Sequence, residues 1–188
     1  MLIGFTGKLR SGKDTAAAPL IAAGWYHASF AAKIKDFALA VNPLIPDTTG
    51  RKFYRLAELV RAYGWERTKD EYPEARVILQ RIGTDAGRCV FGPDVWVRAA
   101  MDGLPSRDVV FTDCRFPNEA DAIRAAGGLV IRVERPGAPE GGHVSETALD
   151  DYPVDAVIRN SGTVADLHTA VELIVNQVRE EAASVLVG

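Results

Sequence analysis

Hydrophobic and polar positions alternate along the chain in blocks that predict an α/β fold. Five short apolar runs are typical of strands: Leu2–Thr6, Trp25–Phe30, Asp108–Thr112, Leu129–Glu134 and Asp155–Arg159. The third and fourth contain stretches that are apolar at consecutive positions, 109–111 and 129–131. Such stretches indicate strands of a parallel sheet that helices cover on both faces.

Between these runs the apolar spacing changes to the helical period. Helices are predicted to begin near Lys13, Ala31, Tyr54, Glu74, Asp94, Pro117 and Thr163. Pro19 should kink or shorten the first of them, because proline lacks a backbone N–H and crowds the preceding turn. The helical region from about residue 31 to 103 resembles an insertion between two strands of the sheet. Within it, segment 43–52 is predicted to be an exposed loop, since it contains two prolines and a glycine.

Length and composition are those of one globular domain, residues 1–188, with 47% hydrophobic and 25% charged residues. The net charge of −3 argues against binding a nucleic acid polymer or an anionic membrane. Two cysteines make a disulfide framework improbable and fit a reducing compartment. The chain begins without a signal-peptide pattern, and its weakly polar stretches are too broken to cross a bilayer. We therefore expect a soluble, cytoplasmic protein.

The strongest motif follows the first predicted strand directly. Residues 7–14 read Gly-Lys-Leu-Arg-Ser-Gly-Lys-Asp, which matches the phosphate-binding pattern G-x-x-x-x-G-K. Its glycines let successive backbone N–H groups face one anion, and the following helix adds its positive N-terminal dipole. Lys13 is expected to reach the β and γ phosphates of a nucleotide. The alternative is a glycine-rich turn without a ligand.

Asp14 stands where the pattern usually has Ser or Thr, whose hydroxyl helps to hold Mg²⁺. Either Asp14 binds the ion, directly or through water, or Thr15 substitutes. A carboxylate beside phosphates is repelled unless a cation lies between them, so we expect Mg²⁺ to be required. Asp113 is the third candidate for this ion, because it ends the third predicted strand as a Walker-B acid does.

Arg115 and Asn118 follow Asp113 and would face the same crevice, where open α/β sheets bind ligands. A helix start with Pro117 at its first position explains the segment equally well.

A second candidate surface lies on the helix predicted around residues 76–89. Gln80, Thr84 and Arg88 recur every four residues and would share one face. Gly83 and Gly87 lie beside this stripe and would let a planar base approach closely. The alternative is a solvated helix face.

Three further features stay open from the residues alone. Lys33 is either a contact for an acceptor phosphate or a solvated residue at a helix start. The Pro/Gly-rich tract 136–146 would serve as a short lid that excludes water. Segment 160–163 either contacts adenine or caps the last helix.

Taken in order, these motifs resemble the deoxynucleoside monophosphate kinases of tailed bacteriophages, within the wider group of nucleoside-monophosphate and dephospho-coenzyme-A kinases. The matching segments are 7–15, 79–84, 91–96, 113–119, 143–146 and 155–160 with Gly162. The resemblance spans nearly the whole chain. Segment 113–119, together with the phosphate loop that carries Asp14, is its most specific part.

The resemblance implies a three-layer P-loop NTPase fold with a parallel five-stranded sheet in the order 2-3-1-4-5 and a helical insertion that holds the acceptor. It implies ATP- and Mg²⁺-dependent conversion of deoxynucleoside monophosphates to diphosphates, in the host cytoplasm if the chain is phage-encoded. The family often forms homodimers.

The site residues that motif and resemblance predict fall into four groups. The catalytic residues are Lys13, Asp113, Arg115, Arg132 and Arg135. By the resemblance, Arg132 or Arg135 would reach ATP phosphates. The ATP contacts are Gly7, Lys8, Arg10, Ser11, Gly12, Lys13, Asp14, Thr15, Asn160 and Gly162. The acceptor contacts are Lys33, Gln80, Thr84, Arg88, Trp96, Arg115, Asn118 and Glu119. The Mg²⁺ ligands are Asp14, Thr15 and Asp113.

Two other functions remain open at this stage. One is another small-acceptor kinase on the same scaffold, for dephospho-coenzyme A or phosphomevalonate. The other is a non-catalytic nucleotide-binding regulator. The chain has no N-K-x-D motif for guanine, and although residues 47–50 fit D-x-x-G, no predicted strand precedes them.

Overall fold

The computed structural model describes residues 1–138 and 147–185, with side chains to residue 184. It divides into two compact units: unit 1 is Met1–Ser29 with Gly103–Gly188, and unit 2 is Phe30–Asp102. Residues 139–146, which include most of the predicted lid and the matching segment 143–146, lie outside the described residues. No helix in the described ranges has the length and apolarity needed to cross a membrane.

Unit 1 contains the predicted strands and the helices between them. Its elements in chain order are β1 (Leu2–Thr6), α1 (Lys13–Ala22), β2 (Tyr26–Ala28), β5 (Val109–Phe111), α7 (Pro117–Ala125), β6 (Leu129–Glu134), β7 (Ala156–Arg159) and α8 (Val164–Val185). Each of the five predicted strands is confirmed, and each predicted helix start in this unit lies within a residue of the observed one.

The five strands form one parallel sheet in the order β2-β5-β1-β6-β7. Numbered along the whole chain the order is 2-5-1-6-7 and not the expected 2-3-1-4-5, because two strands that the sequence did not predict lie between β2 and β5. Counting only the sheet's own strands gives 2-3-1-4-5. This order places β1, and the loop that follows it, at the centre of the sheet.

Helices cover both faces of the sheet, so unit 1 has three layers. Ile3 and Phe5 of β1 are fully buried in a cluster with residues of α1 and α8, including Leu20 and Val171. The opposite face meets α7, where Ile123 packs so closely that a Cβ at Gly4 would lie 2.3 Å from its Cδ1. Burial on both faces explains why the β1 and β5 sequences are apolar at consecutive positions.

Unit 2 is helical with one small hairpin. Its elements are α2 (Phe30–Val41), β3 (Leu44–Pro46), β4 (Phe53–Arg55), α3 (Leu56–Glu71), α4 (Pro73–Gln80), a π-helix (Arg81–Arg88), α5 (Cys89–Phe91) and α6 (Val95–Met101). Its core is a separate cluster of buried side chains, formed by Ala38, Ile45, Leu56, Leu59 and Ala75.

The prediction of an exposed loop over residues 43–52 is wrong at its start. Ile45 pairs with Tyr54 in the antiparallel β3–β4 ladder and is fully buried. The turn between these strands is held by Asp47, whose Oδ1 accepts hydrogen bonds from the Thr49 hydroxyl at 2.8 Å and the Arg51 N–H at 3.0 Å. The D-x-x-G pattern therefore marks a hairpin turn.

Candidate phosphate-binding site

The loop between β1 and α1 has the backbone of an anion-binding turn. Three of its residues have positive φ: Gly7 at 134°, Arg10 at 60° and Gly12 at 106°. A Cβ at Gly7 would lie 2.3 Å from the Val133 carbonyl oxygen, and one at Gly12 would lie 2.5 Å from Asn160 Nδ2. Glycine is required at both positions for conformation and for space.

Lys13 closes back over this loop. Its Nζ donates hydrogen bonds to the carbonyl oxygens of Gly7, at 2.7 Å, and Lys8, at 2.8 Å. An ammonium group has three donors, and here it is held at the loop by main-chain atoms. The positive charge therefore lies at the N-terminus of α1, the end of the helix that favours an anion.

Ser11 lies inside the loop with an unused hydroxyl. The side chain is 1% exposed, and within the described residues its Oγ has no hydrogen-bond partner. A buried hydroxyl without a partner is costly. Because the surrounding N–H groups and Lys13 also favour an anion, this group fits a phosphate oxygen as its missing partner.

A cavity of about 390 Å³ opens beside the loop within unit 1. Gly7, Lys8 and Ser11 form one part of its wall, and Arg115, Arg132 and Arg135 line it as well. Four cationic side chains face two acidic ones, Glu134 and Asp150, so the wall favours an anionic ligand. This volume is within the range of small-molecule sites.

Arg132 has a structural role in addition to its place in the wall. Its Nη2 donates to the carbonyl oxygens of Leu149, at 2.6 Å, and Tyr152, at 2.8 Å. Arg135 is exposed. The two arginines are three residues apart, and on a continuous strand they would lie on opposite faces. Because β6 ends at Glu134 and the chain then turns, both arginines line the cavity.

Asp113 lies two residues beyond β5 and is held by a residue that the sequence analysis missed. The Ser29 hydroxyl, just past β2, donates to Asp113 Oδ2 at 2.7 Å. Asp14 is exposed in the first turn of α1, and Thr15 is half-buried beside it. In the described ranges no group of three His, Cys, Asp or Glu side chains is arranged to hold a metal ion. Mg²⁺ on a phosphate chain needs only one or two protein carboxylates, and its binding by Asp14, Thr15 or Asp113 stays a prediction.

Glu119 is 3% exposed and caps α7. Its Oε2 accepts hydrogen bonds from the backbone N–H groups of Arg115, at 2.8 Å, and Phe116, at 3.1 Å. This capping fixes the backbone from which Arg115 extends to the cavity. Asn118 is half-buried at the second position of α7. The acceptor contacts predicted for Glu119 and Asn118 stay predictions.

Asn160 contacts the phosphate loop through its side chain. Its Nδ2 donates to the Ser11 carbonyl oxygen at 2.8 Å. Gly162 precedes the cap of α8, where the Thr163 N–H donates to Asp166 Oδ2 at 2.8 Å and the Asp166 N–H donates to Thr163 Oγ1 at 3.2 Å. The helix-cap interpretation of this segment is confirmed, and the adenine contact stays a prediction.

The stripe of Gln80, Thr84 and Arg88 lies in unit 2, at the end of α4 and in the π-helix. A π-helix closes i→i+5 hydrogen bonds, and it keeps residues four apart about as close around its axis as an α-helix does. The shared face of these three residues therefore stays a prediction. Arg88 and Thr84 are half-buried and Gln80 is exposed.

The interpretation of Gly83 and Gly87 as a platform for a base is wrong, because protein side chains fill the space beside them. A Cβ at Gly87 would lie 2.5 Å from Trp96, and one at Gly83 would lie 3.1 Å from Ile34. Trp96 is 7% exposed, and its Nε1 donates to the Gly83 carbonyl oxygen at 2.9 Å. Trp96 thus belongs to the core of unit 2, and its contact with an acceptor stays a prediction.

Lys33 is exposed on α2, with its Nζ 4.0 Å from Asp36 Oδ2. Its contact with an acceptor phosphate stays a prediction. Besides Ser29, the sequence analysis missed His168 of α8, whose Nε2 lies 3.0 Å from the Thr15 carbonyl oxygen. The sequence signal for such a donor was Pro19 within α1, because a proline has no N–H to bond to the carbonyl four residues earlier.

Comparison with known proteins gives the family. The family model described as deoxynucleotide monophosphate kinase matches residues 65–171. A putative deoxynucleotide monophosphate kinase of Acanthamoeba polyphaga mimivirus is 29% identical over 194 residues, covering 91% of this chain and 94% of that protein. The deoxynucleotide monophosphate kinase of Enterobacteria phage T4 is 33% identical over 104 residues, covering 52% of this chain and 43% of that enzyme.

Among solved structures, TT1252 from Thermus thermophilus aligns over 94% of this chain and 97% of its own, with 18% identity and a TM-score of 0.42. That likeness is too low to add to the assignment. The resemblance that the motifs predict is confirmed by the family match, and with it the enzyme class, a nucleoside-monophosphate kinase. Because the match covers more than half of the sequence, the chain belongs to the deoxynucleotide monophosphate kinase family.

Proposed function

We propose that unit 1 binds Mg²⁺ and ATP through the β1–α1 loop, and that the chain transfers the γ-phosphoryl group to a deoxynucleoside monophosphate. The observation that carries this proposal is the loop itself. Lys13 folds over the Gly7 and Lys8 carbonyls, and the buried Ser11 hydroxyl has no hydrogen-bond partner in the part of the chain that the structure describes. These groups are the donors that an oligophosphate requires.

In this reaction an oxygen of the acceptor phosphate attacks the γ phosphorus of ATP. The bond from that phosphorus to the β–γ bridging oxygen breaks, and ADP and a deoxynucleoside diphosphate are formed. The acceptor is already anionic at neutral pH, so no strong general base is needed. Mg²⁺, when bound, neutralises charge on the β and γ phosphates. The protein contributes positioning and cationic donors, with Lys13 at the loop and Arg115, Arg132 and Arg135 on the cavity wall.

Arg132 fulfils this role while it holds the backbone of segment 149–152. Two of its five N–H donors go to carbonyl oxygens, which leaves the rest of the guanidinium for the cavity. A guanidinium held in this way is already oriented before a phosphate binds. We assign Asp113, supported by Ser29, to the Mg²⁺ ion, with Asp14 or Thr15 as a second ligand.

In unit 1, Arg115 is our candidate for contact with the acceptor phosphate. In unit 2, Gln80, Thr84 and Arg88 are our acceptor candidates. In support, π-helical geometry is rare and recurs at functional sites, and Thr84 and Arg88 both lie on the π-helix. Lys33, Trp96, Asn118 and Glu119 are further acceptor candidates from the family resemblance. The adenine contact of Asn160 and Gly162, homodimer formation and location in a host cytoplasm stay predictions.

The test is an acceptor screen. The protein is incubated with ATP, Mg²⁺ and each common deoxy- and ribonucleoside monophosphate, and the diphosphates formed are separated and quantified. Dephospho-coenzyme A and phosphomevalonate are included as acceptors of the rival kinases. Diphosphate formation from deoxynucleoside monophosphates supports the proposal. Nucleotide binding without transfer to any monophosphate would instead support a regulator.

A further inference from the structure

Helix α1 carries a proline, and this leaves one carbonyl of its first turn without the regular donor. In an α-helix each N–H bonds to the carbonyl four residues earlier, and proline has no N–H. Pro19 lies within α1, which continues to Ala22. The carbonyl of Thr15 therefore needs a donor from elsewhere.

His168 supplies that donor from α8. Its Nε2 lies 3.0 Å from the Thr15 carbonyl oxygen, and its side chain is half-buried. A carbonyl oxygen can only accept a hydrogen bond, so Nε2 carries the proton. The two residues are 153 positions apart in sequence, and α1 and α8 pack together in the same core cluster.

A second side chain from the same region binds the loop in a similar way. Asn160, just past β7, donates to the Ser11 carbonyl oxygen at 2.8 Å. The two carbonyls are four residues apart, one in the loop and one in the first turn of α1. Both carbonyl oxygens are thus fixed by side-chain contacts from the same part of unit 1.

We propose that His168 is a positioning residue of the phosphate loop, replacing through its Nε2–H the hydrogen bond that Pro19 cannot give to Thr15. This inference rests on the proposed function, because the loop it positions is the proposed ATP site. His168 does not itself touch the phosphates; it acts through the first turn of α1.

The experiment measures the Kd for ATP with Mg²⁺ by titration calorimetry on the full chain. The variants are His168→Ala, His168→Gln, Pro19→Ala and the double variant Pro19→Ala/His168→Ala. His168→Ala should weaken binding about five- to tenfold, since it leaves a carbonyl unpaired. Gln places an amide donor the same number of bonds from Cα, so His168→Gln should stay within about twofold of wild type.

The double variant tests the mechanism directly. Replacing Pro19 with alanine restores a backbone N–H that can donate to Thr15, so removal of His168 should change the Kd less than about twofold in that background. A double variant that binds as weakly as His168→Ala would overturn the inference. So would a His168→Ala variant with a lower Tm and an unchanged Kd, because His168 would then only join two helices.

Failure of the inference and failure of the proposed function give different results. If the wild-type protein binds no ATP, the phosphate-loop proposal fails and the inference fails with it. If wild type and His168→Ala bind ATP equally well, only the inference is overturned.

Discussion

Ser29 Oγ donates a 2.7 Å hydrogen bond to Asp113 Oδ2, and this bond joins the carboxyl ends of β2 and β5. Ser29 follows β2 directly and Asp113 lies two residues beyond β5, at the edge of the sheet where α/β proteins bind ligands. A carboxylate that accepts such a bond has one oxygen oriented by the protein. If Asp113 holds Mg²⁺, as we propose, this bond would orient its carboxylate for the ion.

Ser29→Ala should raise the Mg²⁺ concentration for half-maximal activity about three- to tenfold, because Asp113 loses an orienting donor. The measurement is the initial rate as a function of Mg²⁺ at saturating ATP and acceptor. Ser29→Thr keeps the hydroxyl and serves as the control. If the Mg²⁺ dependence of Ser29→Ala equals that of wild type, Asp113 does not act on the metal through this contact.

Lys13→Ala should lower kcat about a thousandfold, equivalent to roughly 4 kcal/mol. Its ammonium is held at the loop by the Gly7 and Lys8 carbonyls, and alanine leaves no cation at that position. Lys52→Ala, an exposed change in unit 2, is the control for loss of a positive charge. Turnover near that of wild type in Lys13→Ala would remove Lys13 from the reaction.

Gly12→Ala and Gly24→Ala form a matched pair that separates backbone strain from crowding. Both glycines have positive φ, 106° and 92°, but a Cβ at Gly24 meets nothing within 4 Å, whereas one at Gly12 would lie 2.5 Å from Asn160 Nδ2. Gly24→Ala should cost about 1–2 kcal/mol of unfolding free energy and leave ATP binding intact. Gly12→Ala should lower stability further and abolish ATP binding. If the two variants lost the same unfolding free energy in denaturant melts and the same ATP affinity in titrations, this account of the loop would be contradicted.

Cys114 is buried, and burial raises the pKa of its thiol, with the nearby Glu119 and Asp113 carboxylates adding to the effect. The folded thiol therefore stays protonated above about pH 8.5, where an unfolded cysteine ionises. Stability should fall as the pH rises past that value, because the unfolded state then binds fewer protons than the folded state.

Thiol labelling at pH 8 checks this environment. A disulfide reagent should modify Cys89, which is exposed, and spare Cys114 in the folded protein, and both should react in denaturant. Cys89→Ser should abolish labelling of the folded protein. Rapid labelling of Cys114 in that variant would show that its surroundings open readily.

The central strands β1 and β5 could be predicted from the sequence because they are buried at every position, and uninterrupted apolar runs are a local signal. The β3–β4 hairpin could not, because its strands are three residues each and one ends in Pro46, which favours a loop. The π-helix depends on non-local packing, with Trp96 held against Gly83 and Gly87. No pattern within residues 81–88 distinguishes it from an α-helix.

In the candidate site, too, local motifs could be predicted from the sequence and long-range contacts could not. The phosphate loop is a contiguous motif whose glycines have one physical explanation, so its residues could be named from the sequence. Ser29 and His168 act through contacts that span 84 and 153 residues, and only the fold brings those residues together. The sequence places Glu119 in a specific motif, but only the structure shows that its carboxylate caps α7.

Glu119 offers a test that separates a capping role from a substrate role. Glu119→Ala removes both bonds to the Arg115 and Phe116 N–H groups and should cost about 1–2 kcal/mol of unfolding free energy. Glu119→Gln keeps a carbonyl oxygen that can accept from the same groups, as in capping boxes with Gln, and should retain most of the stability. The KM for the acceptor should be unchanged in Glu119→Gln, because a cap needs an acceptor atom and not a charge. If that variant instead keeps its Tm and loses acceptor affinity, the carboxylate binds substrate and the capping interpretation is incomplete.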